Sequence, residues 1–409
     1  MTTSDSRSRP RTRLAPHLQQ VPPSGIRDFF EIVASRREVI SLGIGEPDFV
    51  TPWRIRDAAI YALGRGATSY TANAGLLSLR EQISGYLHRA FGVDYRAEDE
   101  ILVTVGVSEA LDLAIRALVA PGDEVVYHEP CYVSYAPVIT FAHGVAVPVT
   151  TRREEGFRLT RAEVEAVLTP RSKVLLLNFP TNPTGAVLDE ADLAGLAALA
   201  VERDLLVIAD DIYAELSYEA PHRSIAALPG MKERTILLHG LSKAWAMTGF
   251  RLGYACGPAD LIAGLMKIHQ YTMLCAPILS QEAAVEALTQ PERDIDEMRA
   301  DYRRRRNWIC EALNAMGLPC HKPRGAFYAF PQVGHLGMTS KAFALALLHE
   351  ENVACVPGDA FGGGGEGFLR CSYATDLALI REAMVRMERF VARRRSAVGG
   401  EAMQAEDWV

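Results

Sequence analysis

The sequence predicts an α/β fold built on a largely parallel sheet, with a smaller α+β domain beside it. Between about residue 100 and 257, short β-rich runs alternate regularly with helical stretches. Several of those runs are apolar throughout, as strands must be when helices cover both faces of a sheet. After about residue 285 the texture changes, and long charged helical patterns replace the alternation.

In chain order, ILVTV (101–105) reads as a strand. The stretch SEALDLAIRAL after it sets Leu111, Ala114, Ile115 and Leu118 on one helical face, and Pro121-Gly122 ends that helix. Further strands are read at VVYH (125–128), KVLLLN (173–178), LLVIAD (205–210), TILLHG (235–240) and RLGYAC (251–256). Beyond 285, ERDIDEMRADYRRRRNWICEALNAMG forms a long helix, GAFYAFP and VACVPG follow, and ALIREAMVRMERFVARRR is a last helix. The clusters Arg303–Arg306 and Arg393–Arg395 read as solvated helix faces, not binding patches. Residues 1–13, rich in Ser, Arg and Thr without an apolar centre, are expected to be a disordered tail and 396–409 a flexible one.

Composition narrows the function classes. Hydrophobic residues make up 49% of the 409 and charged residues 23%, ordinary values for a globular chain. A net charge of -7 gives no general electrostatic case for nucleic acid. No apolar run reaches the length of a membrane span. The seven cysteines are scattered without a C-x-x-C pair, which suits a reducing cytoplasm and argues against a disulfide framework or a zinc site.

In open α/β sheets, ligands bind beyond the carboxyl ends of the strands. There the chain places Gly106-Val107-Ser108, Asn178, Asp210 and Ser242-Lys243. Val107 and Ser108 open a helix, whose free N–H groups make an anion site. Ser242 and Arg251 add donors suited to phosphate. Asp210, at an apolar strand end, needs a cationic partner, and a protonated pyridine nitrogen would serve. Lys243, among Ala244, Trp245 and Met247, is a candidate for an amine kept neutral by desolvation and able to form a Schiff base. These roles converge on pyridoxal 5'-phosphate.

The same residues carry a family resemblance. GLSKAWAMTGFRLG (240–253) is similar to the lysine signature of class I/II aminotransferases. SLGIGEPDF (41–49), YTANAGLLSLRE (70–81), NFPTNPTG (178–185), ADDIYAEL (209–216) and LRCSYA (369–374) match in the same order, over roughly residues 14 to 392. The resemblance implies the pyridoxal-phosphate fold type I, with a mostly parallel seven-stranded sheet covered by helices. It divides the chain into an N-terminal part of a small domain (14–45), a large cofactor-binding domain (46–285) and a C-terminal small domain (286–395).

Carried over by motif, Lys243 is implied to be the Schiff-base lysine and proton shuttle, and Asp210 the partner of the pyridinium. Asn182 and Tyr213 are implied to donate to the cofactor's phenolic oxygen, and Tyr132 to stack on its ring. Ser242, Arg251, Val107 and Ser108 form the phosphate cup. Tyr70 reaches the phosphate of a neighbouring subunit, which implies a homodimer. Arg370 clamps the substrate α-carboxylate, helped by Asn182 and the backbone of Gly45, and Tyr328 lines the side-chain pocket. Asn178 is expected to be a structural hydrogen-bonder.

The implied activity is ping-pong transfer of an amino group from an L-amino acid to a 2-oxo acid such as 2-oxoglutarate. Some aspartate-specific members carry a lysine where Ser108 stands. GVSEAL and HQYTMLCAPI (269–278) look more like the bacterial aromatic and N-acetyl-diaminopimelate group, so an aromatic or large neutral donor is expected. Cystathionine β-lyase-like and aminocyclopropane-carboxylate synthase-like enzymes share the fold and are the alternatives. A non-catalytic ligand-sensing module is the alternative of another class, expected to need a DNA-binding domain ahead of the fold. GIGEPD fails the dinucleotide pattern because Asp48 holds the third glycine position. GGGGEG (362–367) is expected to be a mobile loop near the site entrance. His128, His143, His222, His239 and His269 have no metal-ligand spacing.

Overall fold

The computed structural model describes residues 14–22 and 38–406. The expected tail 1–13, the stretch 23–37 and residues 407–409 lie outside the described residues. The strands in chain order are β1 Ile40–Ser41, β2 Ile101–Thr104, β3 Glu124–Glu129, β4 Val145–Thr150, β5 Ser172–Leu177, β6 Leu206–Asp210, β7 Thr235–Gly240, β8 Gly253–Cys256, β9 Tyr328–Ala329, β10 Val353–Ala354, β11 Val356–Pro357 and β12 Leu369–Ser372. The α-helices are α1 Trp53–Gly64, α2 Leu77–Phe91, α3 Gly106–Leu118, α4 Tyr135–Phe141, α5 Arg161–Glu165, α6 Glu190–Glu202, α7 Ala259–Thr272, α8 Ile278–Ala287, α9 Pro291–Ala315, α10 Ser340–Glu351 and α11 Leu377–Glu406.

Seven strands form one sheet in the order β2-β8-β7-β6-β5-β3-β4. The pairs from β4 to β7 are parallel, and β8 runs antiparallel to both of its neighbours. The strand alternation sends Leu175, Leu177, Val207 and Ala209 to one face, against Leu193, Leu196 and Leu199 of α6. Val174, Leu176, Ile208, Ile236 and Leu238 go to the other, against Leu111, Ala114, Ile115 and Leu118 of α3. Each fully buried Leu or Ile contributes on the order of 2 kcal/mol, so both faces stabilise the sheet. The β4 edge lacks a strong sequence signature: Pro148 interrupts it and only Val149 is fully buried.

A second core joins α9, α10 and α11 to the small sheet β11-β12-β9, through Tyr302, Leu313, Phe327, Phe343, Leu347, Met387 and Phe390. Ile40 and Leu42 belong to that core, because β1 pairs parallel with β10. The chain thus leaves the smaller unit at about Leu42 and re-enters it with α9, carrying the GIGEPD stretch past the end of the large sheet.

One expectation is corrected. Arg305 and Arg306 face inward. Arg306 is 1% exposed and pairs with Glu219 at 2.6 Å, with its guanidinium over the Tyr218 ring. Arg305 bridges Asp48 at 2.8 Å, Asp301 at 2.6 Å and the Thr375 carbonyl at 2.6 Å. A buried guanidinium needs its charge paired in this way, although the buried Arg305 Nε has no hydrogen-bond partner, and a run of four like charges around a helix must turn some of them inward. The last helix continues to Glu406 and takes in most of the stretch expected as a flexible tail. Among the described residues no helix is long and apolar enough to cross a membrane, and no group of three or more His, Cys, Asp or Glu side chains could hold a metal ion.

Candidate active site

Beyond the carboxyl ends of the sheet strands lies a cavity of about 420 Å³. Its walls include Gly45, Val107, Ser108, Tyr132, Asn182, Asp210, Tyr213, Ser242, Lys243, Arg251, Tyr328 and Arg370. Twelve of the thirteen residues singled out by the sequence therefore converge. Tyr70 does not: it stands 83% exposed, outside the cavity of its own chain.

Lys243 sits in the link between β7 and β8, strands that run antiparallel and need no crossover helix between them. Its Nζ donates to the Gly45 carbonyl at 2.7 Å. Burial, and then the Arg370 guanidinium, brings its ammonium down to about 8, against the opposing pull of Glu46. Asp210 ends β6 and is 4% exposed. Its Oδ2 accepts from the Tyr135 hydroxyl at 2.8 Å and its Oδ1 from the Ile212 N–H at 3.3 Å. Desolvation nevertheless pushes its carboxyl up to about 6. A cation set against it would bring it back down.

The anion end of the cavity is built on α3. Gly106 opens that helix at φ +74, and a Cβ there would lie 2.8 Å from Arg251 Nη2. Arg251 is itself in the left-handed region at φ 51, which aims its guanidinium across the first turn of α3. The unpaired N–H groups of Val107 and Ser108, the Ser242 hydroxyl and Arg251 make a cradle suited to a phosphate.

At the other end, Arg370 on β12 donates through Nη1 to Asn182 Oδ1 at 3.0 Å and through Nη2 to the Gly43 carbonyl. It lies over the Tyr328 ring at 4.6 Å and the Phe361 ring at 4.9 Å. Its buried Nε has no hydrogen-bond partner, a donor left over for a carboxylate. The Asn182 amide nitrogen also remains as a donor. Asn178 acts as a brace: it donates to the Asp210 carbonyl at 2.8 Å and accepts from the Asn182 N–H at 3.3 Å.

Sequence reasoning missed three contributors. Tyr135 is 1% exposed and holds Asp210; its signal was the helical spacing Tyr132-x-x-Tyr135. Glu46 and Thr248 also line the cavity and are hydrogen-bonded to each other, though each lies within a motif already noted. The GGGGEG stretch, expected as a mobile loop near the entrance, forms short 3-10 turns held by Glu129, whose Oε2 accepts from the Gly364 N–H at 3.4 Å, and none of its residues lines the cavity.

An amine of lowered basicity, a buried carboxylate lacking a cation, a phosphate cradle and a spare arginine donor are the donor set of a pyridoxal-phosphate enzyme of fold type I. The chain belongs to the aminotransferase class I and II family, whose model matches residues 37–387. It is 52% identical over 378 residues to a putative aminotransferase, YugH, of Bacillus subtilis, covering 92% of this chain and 98% of that one. It is 44% identical to an aspartate aminotransferase of Pyrococcus abyssi, covering 93% and 99%. The crystal structure of an aromatic aminotransferase from Pyrococcus horikoshii superposes with a TM-score of 0.86 at 44% identity, covering 90% of this chain and 99% of that one. The protein is an aminotransferase, its cofactor is pyridoxal phosphate, and its substrates are amino acids and 2-oxo acids.

Proposed function

We propose that the protein moves the amino group of an L-amino acid with an aromatic or large neutral side chain to a 2-oxo acid. The observation that carries this is the charge inventory of the cavity. Among the described residues lining it, the cations are Lys243, Arg251 and Arg370, and each has a task. Ser108 stands where a lysine would meet the distal carboxylate of aspartate. The walls left for a side chain are Ile44, Tyr132, Ile212 and Tyr328. An acidic donor would bury its second carboxylate without a partner, at a cost of several kcal/mol.

When bound, pyridoxal phosphate supplies an electron sink for the bond broken at the substrate Cα and a carbon that takes up the amino group. In this reading Lys243 would hold the cofactor through its amine and would carry the proton at the substrate Cα. Asp210, braced by Tyr135 and Asn178, keeps the pyridine nitrogen protonated. Tyr213 and Asn182 donate to the phenolic oxygen, Tyr132 stacks on the ring, and Val107, Ser108, Ser242 and Arg251 hold the phosphate. Arg370 takes the α-carboxylate with Asn182 and the Gly45 backbone, while Tyr328 bounds the side-chain pocket.

A homodimer in the cytoplasm completes the proposal, with Tyr70 reaching the partner's phosphate. Large exposed apolar side chains are frequent in the stretch of chain that contains it: Val50, Trp53, Ile60, Tyr61, Leu63 and Leu77, on and around α1 and α2. Tyr271, Met273 and Leu274 are exposed as well, and Asn73 is tied to the Leu274 carbonyl at 2.7 Å. Exposed large apolar side chains concentrated in these stretches support an interface. The division into parts at 14–45, 46–285 and 286–395 belongs to the same reading, supported by a core around α9 to α11 that meets the large part at Ile212, Tyr213, Leu216 and Tyr218.

The test is a panel of L-amino acids mixed with the loaded protein, read as conversion of the cofactor's absorbance to its amine form. Phenylalanine, tyrosine or leucine should convert it faster than aspartate. Aspartate in first place would sink the substrate reading.

A further inference from the structure

We infer that Tyr328 is a positioning residue that aims the Tyr213 hydroxyl proton into the cavity. This rests on the reading that Tyr213 donates to the cofactor's phenolic oxygen.

The two phenol oxygens are 2.8 Å apart, so one proton lies between them. A phenol has one proton to give and can accept as well. If Tyr213 gave its proton to Tyr328, it would have none for the cofactor, and the Tyr328 proton would lack an acceptor, since its oxygen has no second hydrogen-bond partner among the described contacts. The reverse direction satisfies both groups: Tyr328 donates to Tyr213, and the Tyr213 proton is left facing the cavity.

The surroundings leave Tyr328 no other place. Its hydroxyl fills the space over Gly45, where a Cβ would come within 2.5 Å of it. Its ring packs against Phe327 at 4.8 Å and lies beneath the Arg370 guanidinium. The residue is 1% exposed, which keeps water from competing for its proton. Burial holds both phenols in the protonated form, raising each above the usual tyrosine value. Gly45 and Tyr328 therefore act together: the missing side chain of the first makes room for the hydroxyl of the second.

The experiment is a mutant cycle read by spectroscopy. In the protein loaded with pyridoxal phosphate, the absorbance of the cofactor on Lys243 is titrated with pH. A donor to the phenolic oxygen lowers the pH midpoint, so its loss raises it. Tyr213→Phe should raise the midpoint by about one pH unit and Tyr328→Phe by roughly half of that. The double variant should go no further than Tyr213→Phe alone, because Tyr328 acts only through Tyr213. Gly45→Ala, which retains both hydroxyls but displaces one, should also raise the midpoint. A wild-type midpoint in Tyr328→Phe, or additive shifts in the double variant, would overturn the inference while leaving Tyr213 in its role. An unmoved midpoint in Tyr213→Phe would instead remove the reading on which it rests.

Discussion

At the scale of single residues, the role proposed for Lys243 makes its protonation the control on cofactor uptake. Only the neutral amine attacks an aldehyde, and burial beside Arg370 brings this ammonium to about 8 from an ordinary 10.5. The folded-state value is depressed, so the amine is released as pH rises through 8. The rate of covalent capture of pyridoxal phosphate by the cofactor-free protein should therefore climb with pH and level off above about 8. A rate still climbing steeply towards 10 in stopped-flow absorbance would contradict that. Tyr135 offers a second check. Its hydroxyl helps hold Asp210 ionised against burial, so Tyr135→Phe should raise the Asp210 value further. The acid limb of kcat/KM should then move to higher pH, with little change on the alkaline side. Lys243 and Asp210 were legible because an amine and an acid in apolar company each demand a chemical reason, whereas Arg370 was legible only through its family motif. Tyr135 was not, because a phenol beside an apolar helix reads equally well as core. The contact between Glu46 and Thr248 joins residues 202 apart in the chain, and local sequence carries no sign of it.

At the scale of elements, the stretch from Gly43 to Phe49 is held by side chains far away in sequence. Gly43 and Gly45 give carbonyls to Arg370 and Lys243, while Asp48 is gripped by Arg305 of α9. Arg305→Ala would leave Asp48 and Asp301 without their shared cation and should cost on the order of 3 kcal/mol of stability. It should lower the thermal midpoint and also weaken donor binding, since the same stretch supports the clamp. Arg305→Met, which keeps the volume between Phe49 and Tyr302, should recover part of the stability. Equal losses in both variants by calorimetry would show that charge, not packing, is what counts there, and full recovery in Arg305→Met would show the reverse. The strands β2, β3 and β5 to β8 were legible within a residue or two, because a strand buried on both faces is a continuous apolar run. The edge strand β4 escaped, since half-burial and Pro148 leave it without either pattern. The inward turn of Arg305 and Arg306 escaped for a related reason: an arginine's exposure depends on what faces it, and Asp48, Glu219 and Thr375 are distant in sequence.

At the scale of the whole molecule, the position of Tyr70 gives the sharpest test of assembly. One chain brings together twelve of the thirteen residues singled out from its sequence and leaves this one exposed, outside the cavity. If two copies pair about a twofold axis, each cavity combines Lys243 of one chain with Tyr70 of the other. A chain carrying Lys243→Ala then has no working cavity of its own but still offers a good Tyr70. A chain carrying Tyr70→Ala retains its lysine but offers its partner nothing. In a mixed dimer of the two, one cavity holds both defects and the other holds none. Random pairing of equal amounts makes half the dimers mixed, so about one quarter of all cavities should be native. The mixture, co-expressed or refolded together, should regain about a quarter of wild-type activity and tight phosphate binding, well above the mean of the two parents. If Tyr70 served its own chain, the mixture would fall on that mean, because no pairing could then create an intact cavity.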